Sequence, residues 1–253
     1  NARPMIAGPG TIEAVGEVAE DLGAGKALIV TDGGVWNAGL VERPVRILES
    51  SGVRVEVIRD TPPEPEAGHV EDIFGRARGT GCDMVIGIGG GSALDAAKAI
   101  AALAVNTEPI ETYLEVIGQG RPLTQTPLPC IAIPTTAGTG SETTGVTIFD
   151  YLEMGAKTGI ASRALRPIRG LIDPDNTRSL PRMVAACTGL DQLTHALEAI
   201  TALPFNQRPA PEQPRLRPAY QGANPISHVW ASRAIEMIAA DLVRVFDDPS
   251  VAP

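Results

Sequence analysis

Short apolar runs alternate with helix-type patterns through the N-terminal part of the chain. Each run is rich in branched aliphatic residues and stops at glycine, proline or aspartate, as buried strands commonly do. Strands that alternate with helices form βαβ units, whose strands lie parallel in one sheet. We therefore expect an α/β domain with a Rossmann-like parallel sheet. The predicted strands are Lys26–Thr31, Arg54–Ile58, Asp83–Gly89 and Leu128–Ile133, with shorter β-type pieces at 145–149 and 171–172.

The spacing of the apolar residues changes after Pro181 to the period of an α-helix. Two long helices are predicted, Gly189–Ala199 and Pro225–Phe246. The prolines between them, at 203–222, exclude regular helix there. We place a domain boundary near residues 174–180, which divides the chain into an α/β domain at 1–177 and an all-helical domain at 178–253. The apolar stripe predicted for the last helix consists of Val229, Ile235, Ile238, Leu242 and Val245.

Composition excludes some classes of partner. The chain has 253 residues, a formal net charge of −9 and only 4% aromatic residues. This negative charge repels nucleic-acid phosphates and anionic lipids, and few rings are present to stack on bases. No apolar run approaches the ~20 residues that a membrane-spanning helix needs. We expect neither a nucleic-acid partner nor a membrane partner.

The cysteines indicate a reducing compartment. Cys82, Cys130 and Cys187 are odd in number and form no CxxC pair. Such a set is typical neither of a disulfide framework nor of a cysteine-based metal site. The first residues also lack the charged-then-apolar order of a secretory signal. The cytoplasm is therefore the expected location.

A glycine run, GIGGGS at Gly87–Ser92, lies where the third predicted strand meets an alanine-rich helical pattern at 93–103. At such a junction, free backbone N–H groups and the helix dipole bind a diphosphate, and glycine lets the ligand approach closely. The dinucleotide fingerprint G-x-G-x-x-G has a glycine where this chain has Ser92. Taken alone, the run predicts either a phosphate-binding loop or a tight turn.

A second polar loop, PTTAGTGSE at Pro134–Glu142, follows the next predicted strand. Its hydroxyl and backbone donors suit a phosphate or a ribose, and the alternative is a polar surface loop. Loops at the carboxyl ends of parallel strands meet in one crevice, where α/β proteins bind their ligands. The two loops together favour a nucleotide.

Two charged residues could add to such a site. Asp32 ends the first predicted strand, where a carboxylate accepts hydrogen bonds from ribose hydroxyls and repels a 2′-phosphate. It precedes two glycines, so a turn is an equal interpretation. Lys157 could supply a positive charge near a cofactor, and a solvated surface lysine is its alternative.

The predicted helix at 189–199 carries a possible metal-binding pair. Asp191 and His195 are four residues apart, so both project from one face and could hold one metal ion. The alternative is a simple hydrogen bond between the two side chains. The remaining histidines are His69, which we expect on the surface, and His228, near the start of the last helix.

Three motifs carry a family resemblance: GGGSALDAAK at Gly89–Lys98, PTTAGTGSE at Pro134–Glu142 and GLDQLTHALE at Gly189–Glu198. In this order and spacing they closely resemble the iron-containing (group III) alcohol dehydrogenase family, over essentially the whole chain. The segments 147–151, 157–163 and 202–227 resemble the hydroxyacid-oxoacid transhydrogenase branch of that family.

The resemblance implies a dinucleotide-binding domain at 1–177 and a helical metal and substrate domain at 178–253. Its cofactors would be NAD, or alternatively NADP, and a catalytic divalent metal ion, Fe²⁺ or Zn²⁺. Asp191 and His195 match two of the metal ligands. The NAD contacts implied by position are Asp32, Gly90, Gly91, Ser92, Asp95, Thr135, Thr136, Thr139 and Lys157.

The other two metal ligands of the family are histidines further downstream. His228 matches neither of them and stands where relatives usually carry aspartate. We therefore expect the polypeptide to continue beyond Pro253, with the helical domain incomplete in this chain.

The resemblance predicts a metal-dependent oxidoreductase that transfers hydride between an alcohol or hydroxy acid and NAD(P), with the 4-hydroxybutyrate and 2-oxoglutarate transhydrogenases as one type. The alternatives are a plain NAD-dependent alcohol dehydrogenase and a catalytically incomplete nucleotide-binding module. We also expect small-molecule substrates and a homodimer in the cytoplasm, with the mitochondrial matrix as the alternative if the source is eukaryotic. Because guanidinium groups bind carboxylates in bidentate fashion, the candidates for holding the substrate are Arg163, Arg166, Arg208 and Arg217.

Overall fold

The computed structural model describes residues 4–152, 155–213 and 221–248, without the side chains of 67–71. The chain divides into two compact units. The first contains Asn1–Thr135 and Gly140–Asn176, and the second contains Thr136–Thr139 and Thr177–Pro253. Four residues of the threonine-rich loop therefore group with the helical part of the chain.

Parallel strands form the main sheet of the first unit. Their order across the sheet is β1-β8-β5-β4-β2-β3, and all neighbours pair in parallel. Two further strands, β6 and β7, form an antiparallel hairpin. The predicted α/β class with a parallel sheet is confirmed. The strands are β1 Met5–Ala7, β2 Lys26–Val30, β3 Arg54–Ile58, β4 Met84–Gly89, β5 Cys130–Pro134, β6 Val146–Tyr151, β7 Ala156–Ala161 and β8 Arg169–Ile172.

The four main predicted strands correspond to β2, β3, β4 and β5, with small shifts at their ends. The piece predicted at 145–149 lies in the hairpin, whereas the piece at 171–172 is part of β8, between β1 and β5. β1 was not predicted, because three residues are too few to display a period. Its formation depends on pairing with β8, where Met5 lies opposite Gly170.

Helices cover the sheet and set the position of the glycine run. The first unit contains α1 Val15–Asp21, α2 Gly33–Asn37, α3 Glu42–Ser50, α4 Ala67–Thr80 and α5 Gly91–Leu103. Ala93 through Leu103 are all buried in α5, and the small alanines let this helix approach β4 closely. A Cβ at Gly87 on β4 would lie only 2.9 Å from the Cβ of Ala97. The lack of a side chain at Gly87 therefore lets α5 pack close to β4.

The second unit is built on two long helices, α6 Arg182–Thr201 and α7 Pro225–Asp247. Gly189 lies at their contact, beside the side chain of Leu242. Of the predicted apolar stripe on α7, Ile238 is buried, whereas Val229 is 66% exposed, so including Val229 was wrong. The two are nine residues apart, which turns them to opposite sides of a helix. None of the described helices is both long and apolar enough to cross a bilayer.

Candidate functional site

The glycine turn between β4 and α5 has the geometry of an anion-binding loop. Gly89 has a φ of +153°, and a Cβ there would lie 2.7 Å from the Cβ of Ala93. Gly90 is the N-cap of α5 and offers no side-chain cap to the first turn. The first backbone N–H groups of a helix lack intrahelical acceptors, and here no cap side chain takes them. The turn therefore fits a negatively charged phosphate group.

Asp32 lies next to this turn, at the end of β2. Its Oδ1 accepts hydrogen bonds from the N–H groups of Gly34 (2.8 Å) and Val35 (3.0 Å), so it caps α2. Its Oδ2 lies 3.3 Å from the position that a Cβ of Gly89 would occupy. The turn and ribose interpretations of Asp32 are therefore compatible, because one oxygen caps the helix while the other faces the glycine turn.

Thr135 extends the same edge of the sheet, directly after β5. Its N–H donates to the carbonyl of Gly89 at 3.0 Å, and the residue is 2% exposed. The carboxyl ends of β2, β4 and β5 thus bring Asp32, the glycine turn and Thr135 to one edge of the first unit. Thr136 and Thr139 group with the second unit, where Thr136 is half-buried and Thr139 is exposed.

Three of the other expected cofactor residues are bonded within the protein. The hydroxyl of Ser92 donates to the carbonyl of Pro63. Asp95 is buried, and both of its carboxylate oxygens accept hydrogen bonds from protein groups. Lys157 lies on β7 with 60% of its side chain exposed, and it pairs with Asp150 at 2.8 Å and Glu64 at 3.1 Å.

The Lys157 pair changes the acidity of both partners. The hydrogen bond between the two side chains is the main cause that raises the pKa of Lys157 and lowers the pKa of Asp150. A hydrogen bond from Lys157 to Glu64 further raises the pKa of Lys157. Lys157 is therefore held as a cation between two carboxylates.

Asp191 and His195 project from one face of α6 in the second unit. Asp191 Oδ1 and His195 Nε2 are 3.9 Å apart, which is too long for the alternative Asp–His hydrogen bond. Oxygen and nitrogen ligands lie about 2.1 Å from Zn²⁺, so two donors on one tetrahedral ion are roughly 3.4 Å apart, which a small side-chain rotation reaches from here. Both side chains are partly open to solvent, at 39% and 51%. In kind and in spacing, the pair fits Fe²⁺ or Zn²⁺.

A metal site needs more ligands than these two residues could supply. Within the described residues, no group of three or more His, Cys, Asp or Glu side chains is placed to hold a metal ion. Catalytic sites commonly use three protein ligands. His228 is exposed on the first turn of α7, and the side chain of His69 lies outside the description. Among the described residues, Asp191 and His195 are therefore the two candidate ligands.

A groove of about 490 Å³ runs beside this pair, between α6 and α7. His195, Gln192, Ser227, Trp230 and Met237 are among its lining residues. Trp230 and Met237 give it an apolar wall, while Ser227 and Gln192 add polar groups. The groove has the size of a small-molecule site, and the sequence patterns did not indicate Trp230, Ser227 or Gln192 as site residues.

The candidate arginines do not form one cluster in the described part of the chain. Arg163 is exposed in a short turn at Arg163–Leu165, and half-buried Arg166 lines a separate cavity of about 200 Å³ beside Cys130. Arg208 belongs to the second unit, where it packs beside Gly222. Arg217 lies outside the described residues. A common role for all four does not follow from their positions.

Comparison with known proteins identifies the family. The family model named "Iron-containing alcohol dehydrogenase" matches residues 2–174. The chain belongs to the iron-containing alcohol dehydrogenase family. This confirms the resemblance drawn from the three motifs, which now have their positions on β4–α5, after β5 and on α6.

Curated relatives of this chain carry a more specific name. The mitochondrial hydroxyacid-oxoacid transhydrogenase of Mus musculus is 41% identical over 245 residues, covering 96% of this chain and 53% of its own length. The protein of the same name from Caenorhabditis elegans is 41% identical over 248 residues, with the same coverages of 96% and 53%. The chain thus spans about half the length of the curated relatives it matches.

Solved structures of the family have the same fold. A 1,3-propanediol oxidoreductase superposes with a TM-score of 0.85 at 30% identity, covering 99% of this chain and 60% of that one. A sulfoacetaldehyde reductase from Bifidobacterium kashiwanohense, solved in complex with NAD⁺, has a TM-score of 0.83 at 29% identity, covering 99% of this chain and 61% of that one.

Proposed function

We propose that this chain is part of an NAD- and metal-dependent oxidoreductase of the hydroxyacid-oxoacid transhydrogenase type. The enzyme would transfer hydride from a hydroxy acid such as 4-hydroxybutyrate to an oxo acid such as 2-oxoglutarate, and bound NAD would supply the hydride carrier. The observation that carries the proposal is the sheet edge where Asp32, the uncapped first turn of α5 and Thr135 meet, in a chain of this family. The identity to the named transhydrogenases supports the choice of substrates.

The first unit, as the dinucleotide-binding domain at 1–177, holds NAD. The N–H groups of Gly91 and Ser92 donate to its diphosphate at the start of α5. Asp32 accepts hydrogen bonds from the adenosine ribose through Oδ2, the oxygen that faces Gly89. The same carboxylate disfavours a 2′-phosphate, which supports NAD over NADP. The remaining proposed contacts are Gly90, Thr135, Thr136, Thr139 and Lys157.

The second unit, as the metal and substrate domain at 178–253, contributes Asp191 and His195 as ligands of Fe²⁺ or Zn²⁺. A divalent cation polarises the C–O group of the substrate when it is bound. Asp191 and His195 hold that cation from one face of α6, and Trp230 and Met237 provide apolar surface beside His195. Arg163, Arg166, Arg208 and Arg217 remain candidates for holding the substrate carboxylate.

A plain alcohol dehydrogenase is the second candidate, favoured by the superposition on a 1,3-propanediol oxidoreductase. It would share the whole site and differ only in how the cofactor is reoxidised. We further propose a homodimer in the mitochondrial matrix, or in the cytoplasm of a bacterial source, on the strength of the mitochondrial relatives.

Steady-state turnover of the full-length protein separates these candidates. The transhydrogenase consumes 4-hydroxybutyrate only when 2-oxoglutarate is present and needs no added NAD. The dehydrogenase needs added NAD and no oxo acid. Absence of both activities, together with absence of bound metal, would leave a nucleotide-binding module.

Variants of the metal pair test the assignment within the second unit. We expect Asp191→Asn and His195→Ala to remove bound metal and turnover while NAD binding is retained. His228→Ala is the matched control and retains metal, because His228 matches no ligand position. Full turnover by either ligand variant would remove the metal from the mechanism.

A further inference from the structure

Lys98 is a buried cation that the proposed reaction does not use. Its side chain is fully buried in the first unit, on the alanine-rich helix α5. An ammonium group in such surroundings is stable only when it is paired and hydrogen-bonded. The partners of Lys98 therefore indicate what the residue does.

The partners of Lys98 lie in one segment of the chain outside α5. Its Nζ donates to the carbonyl oxygens of Ser141 at 3.1 Å and Val146 at 2.5 Å, and to the hydroxyl of Thr144 at 3.3 Å. It also forms an ion pair with Asp95 Oδ1 at 2.9 Å, one turn earlier on α5. Lys98 thus joins α5 to the chain that leads into β6.

Asp95 bonds to the same segment from its other side. Its Oδ1 accepts a hydrogen bond from the Ser141 hydroxyl at 2.5 Å, and its Oδ2 accepts one from the N–H of Ile148 at 2.9 Å. Asp95 is 9% exposed, so little of its surface is open to a ligand. Both carboxylate oxygens therefore already accept hydrogen bonds from protein groups.

The segment held in this way is continuous with the threonine loop. Thr135 is bonded to Gly89, and Ser141 is bonded to Asp95. The two ends of the loop are therefore anchored on either side of the glycine turn, one at the end of β4 and the other on α5. Any movement of Ser141 relative to α5 changes the distance between the two ends of the loop.

We propose that Asp95 and Lys98 are positioning residues that hold the loop at 135–141 ready for NAD, and that Asp95 does not itself contact the cofactor. This inference rests on the proposed NAD site and differs from the direct contact that the family resemblance implies for Asp95. A loop held in place beforehand loses less conformational entropy when the ligand binds. The pair therefore raises NAD affinity without touching NAD.

A double-mutant cycle on the full-length protein tests the proposal. Ser141→Ala removes the hydroxyl that bonds to Asp95, and it alters no residue proposed to contact NAD. We expect it to raise the Kd for NAD about tenfold, the loss that one well-placed hydrogen bond can produce. Asp95→Asn should raise the Kd for NAD at least as much. The double variant should bind NAD as tightly as Asp95→Asn alone, because both substitutions break the same hydrogen-bond network.

Kinetics and hydrogen exchange separate positioning from a general loss of stability. We expect Ser141→Ala to raise the Kd for NAD of the cofactor-stripped protein, with kcat at saturating NAD nearly unchanged, at a temperature where the variant is fully folded. Without cofactor, the amide of Ile148 should exchange faster in this variant than in the wild type. Thr143→Ala is the matched control, because its hydroxyl bonds only within its own turn, to the Gly140 carbonyl, and it should change neither quantity.

An unchanged NAD affinity in Ser141→Ala would overturn the proposal. Additive effects of the two substitutions would also overturn it, because they would indicate that Asp95 contacts NAD directly. If Asp95→Asn does not fold, the comparison of Ser141→Ala with Thr143→Ala decides alone. Failure of the wild type to bind NAD would instead overturn the proposed function, and the exchange rate of Ile148 would still test the anchoring.

Discussion

Gly138 packs directly against the backbone of Thr188, one turn before Asp191 on α6. A Cβ at position 138 would lie 2.9 Å from the Thr188 Cβ and 3.0 Å from its Cα and carbonyl oxygen. The side chain of Gln192 donates a hydrogen bond to Ala137 from the same side of α6. The turn that precedes the metal pair is therefore in contact with Thr136–Thr139.

Gly138→Ala should weaken this contact, because the backbone of a helix cannot move aside for a methyl group. We expect a loss of about 1–3 kcal/mol in the free energy of unfolding, the usual result of overpacking, and weaker metal retention in the full-length protein. Denaturant titration and elemental analysis measure the two quantities.

Gly75→Ala is the matched control for Gly138→Ala. Gly75 is exposed on α4 with no atom within 4 Å of a Cβ position. The substitution should stabilise the chain by about 0.5–1 kcal/mol, because alanine favours helix. Equal stability of Gly138→Ala and the wild type would show that the contact with Thr188 is not tight.

The glycine turn and the pair on α6 could be predicted because their signals are local. A glycine run after an apolar strand, and two ligand-type residues four apart on a helix, are visible in windows of about ten residues. The structure places the first at the β4–α5 junction and the second on one face of α6.

The roles of Asp95 and Lys98 could not be predicted, because their partners are distant in the chain. Ser141 is 46 residues from Asp95, and Val146 is 48 residues from Lys98. The position of β8 between β1 and β5 could not be predicted for the same reason, because β8 pairs with a strand more than a hundred residues earlier in the chain. A lysine inside an alanine-rich apolar helix was the one available signal for a buried cation.

Asp173 should be a major contributor to the stability of the first unit. It is 2% exposed and accepts hydrogen bonds from the N–H groups of Gly10, Ile12 and Asp175, each at 3.1 Å. Asp173→Ala leaves these donors without their acceptor, and we expect a loss of about 3 kcal/mol in the free energy of unfolding. Asp72→Ala, on the exposed face of α4, should change it by less than about 0.5 kcal/mol. Similar unfolding midpoints for the two variants would contradict this role.

The β6–β7 hairpin is attached to the chain at Glu64 and Pro65, and the ion pair of Lys157 should make this attachment depend on pH. The pKa of Asp150 is lowered in the folded state. The stabilisation by its negative charge is therefore present above the pKa of the unfolded chain, about 3.9, and is lost as the pH falls through the folded-state pKa. The pKa of Lys157 is raised in the folded state. The stabilisation by its positive charge is therefore present below the pKa of the unfolded chain, about 10.4, and is lost as the pH rises through the folded-state pKa.

Hydrogen exchange at Asp150, whose N–H bonds to the carbonyl of Pro65, measures that attachment. We expect protection to be greatest between about pH 4 and pH 10 once the intrinsic exchange rates are divided out. Lys157→Met should remove this dependence and lower the protection within that window. Identical profiles for the variant and the wild type would show that the ion pair does not hold the hairpin.

Cys130 should be chemically inert in the folded protein. It lies on β5, 6% exposed, and burial raises the pKa of its thiol to about 12, against an opposing effect of the Lys98 charge. Since the thiolate is the reactive form, only about one molecule in ten thousand is ionised at pH 8. Iodoacetamide at this pH should alkylate the exposed Cys187 first and reach Cys130 only on unfolding.

Peptide mass spectrometry of the native and the denatured protein follows each cysteine separately. A Cys130→Ala variant should lose no native labelling, whereas Cys187→Ala should lose most of it. Lys98→Met, if it folds, removes the charge that lowers the pKa of Cys130, so the thiol should become still less reactive in the native state. Faster alkylation of Cys130 in that variant would mean that loosening of the chain around β5 exceeds the electrostatic effect of Lys98.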